Sequence, residues 1–330
     1  MRVLITGASG FIGRLLCPLL INSNHDVIAV VRRNAMGGLP KKINQINVGE
    51  FTTKTHWRDI MQGVEAVVHL AARAHTMGNT SEREELAYHQ LNVEVTRRLV
   101  SEAISVDVKQ FIFMSSIKVN GETTSGRAFT EKDVPKPEDA YGRTKWDAEQ
   151  ELIRATKNSN TKPVILRAPL VYGPGVKGNF FRLMEALAKE KILPLGMISN
   201  SRSLIYGGNL ADAIKTALEN PSSTAPTYLV RDGEDLSTTE LCQRLAAALG
   251  VRARLPQIPT SLLRLGGTII GQDAAIRRLT GSLQLTDNAI RDDLAWVPPF
   301  TVDQGLECTA AWFMSSNNMP KMLSSHDHAA

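Results

Sequence analysis

Three side chains in this sequence could handle a proton and a carbonyl oxygen together: Ser116, Tyr141 and Lys145. A free phenol has a pKa of about 10, so Tyr141 needs a nearby positive charge to exchange its proton near neutrality. Lys145 lies one helical turn further on and brings an ammonium to the same helix face. Ser116 closes the apolar run Gln110-Phe-Ile-Phe-Met114. A hydroxyl there stands at the carboxyl edge of a sheet, where open α/β sheets keep their ligands. Positioned acid–base catalysis of this kind contributes roughly 10²–10⁴ in rate. A Tyr-x-x-x-Lys spacing is common by chance, and its weight comes from the elements that precede it.

The first of those elements is a glycine turn. Arg2-Val-Leu-Ile-Thr6 reads as a strand and Phe11 to Ile21 as an apolar helix, with Gly7-Ala8-Ser9-Gly10-Phe11-Ile12-Gly13 at their junction. Gly7 suits a tight turn, Gly10 lets the backbone approach a phosphate, and Gly13 lets helix and strand pack closely. The helix N-terminus adds unpaired N–H groups and a dipole that favours an anion. Strain relief alone would also explain glycines in a turn, but not their place between this strand and this helix. The next strand, Asp26 to Val31, ends in Arg32-Arg33 where an acid would bind a ribose 2′-hydroxyl. Guanidinium groups suit a 2′-phosphate instead, so NADP is the expected cofactor and NAD the alternative. Two solvated loop charges are the competing reading of the arginines.

With these motifs the chain resembles the extended short-chain dehydrogenase/reductases, the NAD-dependent epimerase/dehydratase family, over nearly its whole length. The resemblance makes Ser116, Tyr141 and Lys145 the catalytic group. It places Gly7 to Gly13, Glu50-Phe51, Leu70-Ala71-Ala72 of the His69-Leu-Ala-Ala72 motif, Asn92 and Pro169 around the cofactor. Arg202 of Arg-Ser-Leu-Ile-Tyr206 is expected on a sugar-nucleotide diphosphate, with Lys118, Asn179 and Arg277 as further substrate contacts. The implied substrate is a UDP-sugar, and the implied assembly is a homodimer through helices 91–104 and 141–156.

Two departures narrow the implied reaction. Ser116 is followed by Ile117-Lys118 rather than by the acidic pair of the dehydratase branch, and the second strand lacks the acid of the 4-epimerases. The expectation is therefore an NAD(P)H-dependent reductase of a UDP-4-keto-6-deoxy-N-acetylhexosamine, of the kind that serves surface polysaccharide synthesis. A UDP-sugar 4-epimerase, acting on UDP-glucose or on free or lipid-linked UDP-N-acetylglucosamine, is the alternative. A non-catalytic dinucleotide sensor is the distant one.

The elements that must position these groups alternate β/α, which predicts a Rossmann-type doubly wound parallel sheet with a smaller C-terminal α/β substrate lobe. Residues 1–168 are assigned to the dinucleotide domain with 203–218 returning to it, 169–202 and 219–314 to the substrate lobe, and 315–330 to a mobile tail. The chain has 330 residues, 43% hydrophobic and 22% charged, enough for a sizeable core. Its 38 basic and 33 acidic residues leave +5, compatible with a diphosphate ligand, and the basic residues form no aromatic-interleaved stripe of the kind that binds nucleic acid. Cys17, Cys242 and Cys308 show no metal spacing and fit a reducing cytoplasm. The first strand starts too early for a cleavable leader, and no run reaches the roughly 18 apolar residues of a membrane span. Leu262 to Ile270 is the most membrane-like stretch and is read as a packed helix, with a peripheral membrane-surface contact, useful if the sugar were carried on a lipid diphosphate, as the alternative.

Overall fold

A computed structural model describes residues 1–32, 38–53, 55–73, 81–221, 226–269, 271 and 273–315. Up to Pro169 the chain forms β1 (Arg2–Thr6), α1 (Phe11–Asn22), β2 (Asp26–Val31), β3 (Asn44–Asn47), α2 (Trp57–Ile60), β4 (Ala66–His69) and α3 (Glu82–His89). A π-helical turn, Gln90–Glu94, leads into α4 (Val95–Ser105), and β5 (Gln110–Ser116), α5 (Ala140–Thr156) and β6 (Lys162–Ala168) follow. Beyond Pro169 come β7 (Leu170–Tyr172), α6 (Gly178–Ala188), β8 (Arg202–Tyr206), α7 (Gly207–Glu219), β9 (Thr227–Leu229), β10 (Asp235–Leu236) and α8 (Thr238–Ala248). The described chain closes with α9 (Thr260–Ile269), α10 (Asp273–Thr280), α11 (Asn288–Leu294) and α12 (Val302–Ser315).

Seven strands make one parallel sheet in the order β3-β2-β1-β4-β5-β6-β9. The central strands are apolar almost throughout because helices cover both faces of such a sheet. Leu4, Val30, Val67, Phe111, Phe113 and Ile165 join Val95 and Leu99 of α4 and Leu152 of α5 in a single buried cluster. The strand order turns back at β1, with β2 on one side and β4 on the other, so the carboxyl ends of β1 and β4 flank the switch point where such sheets bind ligands. This is the expected Rossmann-type fold. The polar strand β3 and the short β9 carry too little pattern to be read from sequence, and they form because an edge of the sheet offers them unpaired backbone groups.

The chain divides into two compact units. The first comprises Met1–Pro169, Gly208–Arg231 and Leu285–Pro299, and the second Leu170–Gly207, Asp232–Gln284 and Phe300–Ala330. The return to the first unit thus runs past 218 to Arg231. A second return, Leu285–Pro299, contains α11 and falls within the 219–314 stretch that the sequence reading assigned to the substrate lobe. It is held there by Tyr228 donating to Asp293 (3.0 Å), by Trp296 Nε1 donating to Asp212 (3.0 Å) and by the Arg231–Asp287 ion pair.

The second unit has a three-stranded sheet, β10-β8-β7, with α8 packed on α6 and α12. Tyr172 stacks on Phe180, and its hydroxyl donates to Asp232 (2.8 Å). Helix α9 forms where a helix was expected and contacts α10, but Leu262 and Leu265 stay 58% and 60% exposed. Of the expected tail, Ser315 ends α12 and the rest lies outside the described residues.

Candidate active site

The glycine turn sits at the end of β1, and each glycine has a different reason to lack a side chain. Gly7 has a φ of +72°, and a Cβ on it would lie 2.8 Å from the backbone nitrogen of Ala71 in the segment after β4. On Gly13 a Cβ would fall 2.4 Å from the carbonyl oxygen of Ala8. A Cβ on Gly10 would meet only the Gly7 oxygen, at 3.0 Å, and otherwise enter open space. Gly10 is also the N-cap of α1, whose first turn has neither an acidic residue nor a side-chain cap. Open space in front of an uncapped helix N-terminus fits the diphosphate of a dinucleotide. Ser9 lies within the turn, where its carbonyl accepts from Arg14 Nε (2.9 Å), and Phe11 and Ile12 open the helix half-buried.

A buried polar chain holds this edge together. The Ala71 N–H donates to Thr6 Oγ1 (3.3 Å), Thr6 Oγ1 lies 2.6 Å from His69 Nδ1, and His69 Nε2 lies 3.0 Å from Thr96 Oγ1. Thr96 spends its hydrogen on the Asn92 carbonyl (2.7 Å). Its oxygen must therefore accept from an Nε2–H, which leaves Nδ1 to accept from Thr6: the chain is satisfied by one neutral tautomer of His69. Burial, reinforced by the charge of Lys145, lowers the His69 pKa to about 3 and keeps it neutral. Asn92 is 1% exposed; its side chain accepts from Arg73 N (2.8 Å) and donates to Thr144 Oγ1 (3.2 Å), so it ties the segment after β4 to α5. Leu70 and Ala72 flank Ala71, half-buried at the same edge. Arg73 places its guanidinium over the Tyr88 ring with a buried Nε that has no partner among the described residues.

Ser116, Tyr141 and Lys145 are carried by adjoining elements. Ser116 is the last residue of β5, and its Oγ accepts from Lys118 N (3.3 Å). Asp139 caps α5 by accepting from Gly142 N (2.7 Å), which sets Tyr141 and Lys145 on the first two turns. The Lys145 ammonium donates to the Met114 carbonyl of β5 (2.7 Å) and lies 4.5 Å from the Phe113 ring centroid and 6.0 Å from that of Tyr141. Burial lowers the Lys145 pKa to about 7, against an upward pull from Glu149. The Tyr141 phenol is pushed up, first by burial and then by Asp139 and Tyr88.

Behind these groups stands a buried network that sequence reasoning missed. Ser115 donates to Glu149, which receives Arg167 Nη2 (2.6 Å) and Nε (3.0 Å), and Arg167 Nη1 donates to Asn120 (2.9 Å). Glu149 is 0% and Arg167 3% exposed. The only local signal was an acid four residues after Lys145, on the same helix face.

The remaining expected contacts are placed as follows. Arg32 is exposed just past β2, and Arg33 lies outside the described residues. Glu50 is exposed, whereas Phe51 is buried edge-on against Trp57 (5.5 Å) in the core. Pro169 is buried at the end of β6. The Lys118 ammonium sits between Glu122 (2.8 Å) and Asp139 (2.5 Å). Burial opposes that charge, but the two carboxylates outweigh it and raise the pKa. In the second unit Asn179 is exposed in the first turn of α6. Arg202 Nη1 donates to the carbonyls of Arg278 and Gly281 (both 2.9 Å), and Arg277 is exposed and paired with Asp273 (2.7 Å). Among the described residues no cluster of His, Cys, Asp and Glu could hold a metal ion.

Comparison with known proteins gives this edge a lineage. Residues 3–230 match the model of the "NAD dependent epimerase/dehydratase family". The chain belongs to that family. Its enzymes are extended short-chain dehydrogenase/reductases. The chain is 38% identical over 321 residues to a UDP-glucose 4-epimerase of Vibrio cholerae, covering 96% of each. It is 27% identical to the N-acetyl-alpha-D-glucosaminyl-diphospho-ditrans,octacis-undecaprenol 4-epimerase of Escherichia coli O157:H7, over 93% of this chain and 94% of that one. In fold it is similar to a UDP-N-acetylglucosamine 4-epimerase of Methanobrevibacter ruminantium, with a TM-score of 0.78, 21% identity, and coverage of 96% of this chain and 99% of that one.

Proposed function

We propose that this enzyme is a 4-epimerase of UDP-activated sugars that keeps its dinucleotide bound through the cycle. The observation that carries this reading is the 38% identity to the Vibrio cholerae UDP-glucose 4-epimerase over 96% of both chains. It displaces the ketoreductase expectation from first place. The bound dinucleotide would supply the hydride acceptor at C4 of the sugar and then the donor to the other face of the keto sugar. Gly7, Gly10 and the N-terminus of α1 would hold its diphosphate, with Leu70 to Ala72 beside them. Tyr141 takes the proton of the 4-hydroxyl and later returns it, Ser116 hydrogen-bonds the same oxygen, and Lys145 holds ribose hydroxyls and lends its charge to the phenol. Because burial raises Tyr141, the phenol needs positive charge beside it to lose its proton, which Lys145 and a bound oxidised nicotinamide would supply. Arg202 would bind the substrate diphosphate, and a homodimer would form through α4 and α5.

A second reading, reduction of a UDP-4-keto sugar with NADPH, is favoured by one feature: β2 ends at Val31 with the exposed Arg32 beyond it and no acid there. One experiment separates the two. Purified enzyme is given UDP-glucose and UDP-N-acetylglucosamine with product configuration read by NMR, and separately UDP-4-keto-6-deoxy-N-acetylglucosamine with NADPH or NADH while nicotinamide absorbance is followed. Inversion at C4 with no net loss of reduced cofactor supports the epimerase. Stoichiometric NADPH consumption replaces it with the reductase, and neither outcome rejects both.

A further inference from the structure

The second unit carries an exposed apolar and basic surface that the proposed reaction does not use. Leu262 and Leu265 are three residues apart on α9 and therefore share a face, at 58% and 60% exposure. Leu279 on α10, the helix packed against α9, is 40% exposed, and Met197, whose carbonyl accepts from Thr260 at the start of α9, is 48% exposed. Single exposed leucines are ordinary, whereas a group of this size on two contacting helices marks a surface with a partner. The charge around it identifies the kind of partner. α9 and α10 hold three arginines, Arg264, Arg277 and Arg278, against the single acid Asp273, which pairs with Arg277 (2.7 Å), a net +2. Arg264 lies between the two leucines in sequence, and Arg264, Arg277 and Arg278 are all exposed. An apolar helix face set among arginines is the composition of a helix that lies in the plane of an anionic bilayer, with leucines among the acyl chains and guanidinium groups at the phosphates. A protein partner would have to be both apolar and acidic on one face; a leaflet of anionic phospholipid is both by construction.

We infer that the α9–α10 surface docks the enzyme peripherally on an anionic phospholipid bilayer. No helix among the described residues is long and apolar enough to cross a membrane, so attachment is reversible and in-plane. The inference stands apart from the reaction proposed above, since it concerns where the enzyme works and not which bond it acts on. It also makes substrates held at the membrane surface accessible to the same site.

The test is co-sedimentation of the full chain with vesicles of phosphatidylcholine alone and of phosphatidylcholine containing phosphatidylglycerol. Expected is sedimentation with the anionic vesicles only, weakened by salt. The double variant Leu262→Ser/Leu265→Ser should lower the partition coefficient at least about tenfold, because each leucine removed from the acyl region costs about that factor. Turnover of a soluble UDP-sugar and the unfolding temperature should stay unchanged, and Arg264→Glu should weaken binding to anionic vesicles in the same direction. Absence of sedimentation, equal sedimentation with both vesicle types, or retention of binding by the double variant overturns the proposal. A fall from dimer to monomer mass in the double variant, read by light scattering, also overturns it and assigns the face to a second copy of the chain. Inactivity on every sugar tested, with vesicle binding intact, rejects the proposed reaction and leaves the docking surface standing.

Discussion

Burial acts on Tyr141 and Lys145 in opposite directions, raising the phenol and lowering the ammonium to about 7, so each is biased toward its neutral form. Replacing Tyr141 by Phe removes only the hydroxyl, and turnover should fall by roughly 10²–10⁴ with no change in unfolding temperature. Lys145 also leaves a mark on stability. Its folded pKa lies below the ordinary 10.5, so between about pH 7 and 10.5 the unfolded chain binds the extra proton and stability rises with pH across that window. Chemical denaturation of the wild type and of Lys145→Met should therefore differ in slope there, by at most about 1.4 kcal/mol per pH unit. His69 follows the same sign in another window. With a folded pKa of about 3 against 6.5, its contribution is whole above pH 6.5 and is lost as pH falls toward 3. Nitrogen NMR at pH 5 should find His69 neutral with the proton on Nε2; an imidazolium there would dismiss the Thr6–His69–Thr96 chain as drawn.

At the scale of elements, the glycine turn and the Glu149–Arg167 pair do separate jobs. Gly13→Ala drives a Cβ into the Ala8 backbone where α1 meets β1, so it should lower the unfolding temperature sharply. Gly10→Ala meets only the Gly7 oxygen, and should leave stability nearly unchanged while weakening dinucleotide binding, as read by calorimetric titration. If both variants lose stability equally, the open space in front of α1 is not a ligand site. The buried pair joins β5, β6 and α5 through Ser115, Glu149, Arg167 and Asn120. Glu149→Gln leaves Arg167 charged and buried without its counter-ion and should cost about 3–5 kcal/mol, whereas Ser115→Ala should cost about 1 kcal/mol. Denaturant midpoints measure both. The glycines and the Tyr-x-x-x-Lys spacing were legible because turn geometry and one helical turn are local. The partners of Glu149 were not, because Ser115, Asn120 and Arg167 come from three other segments that only the folded sheet brings together.

On the scale of the whole molecule, the first unit is built from three separate stretches. Gly208–Arg231 supplies β9, which pairs with Ile165, Leu166 and Arg167 of β6, and buries Leu210, Ile214 and Leu218 of α7. Gln110 Nε2, in β5, donates to the Ala217 carbonyl (2.7 Å). A fragment ending at Pro169 should therefore fail to fold, because β6 would become a bare edge and the apolar surface that α7 covers would face water. Far-UV circular dichroism and gel filtration of residues 1–169 test this; a monomeric, cooperatively melting fragment would show that the returning segments are dispensable.

What the amino-acid order determined by itself was the family, the parallel sheet and the candidate catalytic trio, since each rests on spacing within one or two adjacent elements. The resemblance also covered His69 and Asn92, without saying what they bond. Tertiary structure decided the partners. It locked Lys118 between Glu122 and Asp139, turned Asn92 onto the Arg73 backbone and Thr144, buried Phe51 against Trp57, and returned 285–299 to the first unit. It also left Leu262 and Leu265 of α9 exposed, although α9 packs against α10. An apolar run reports that burial is favourable, but whether a surface exists to bury it against depends on contacts between residues far apart in the chain.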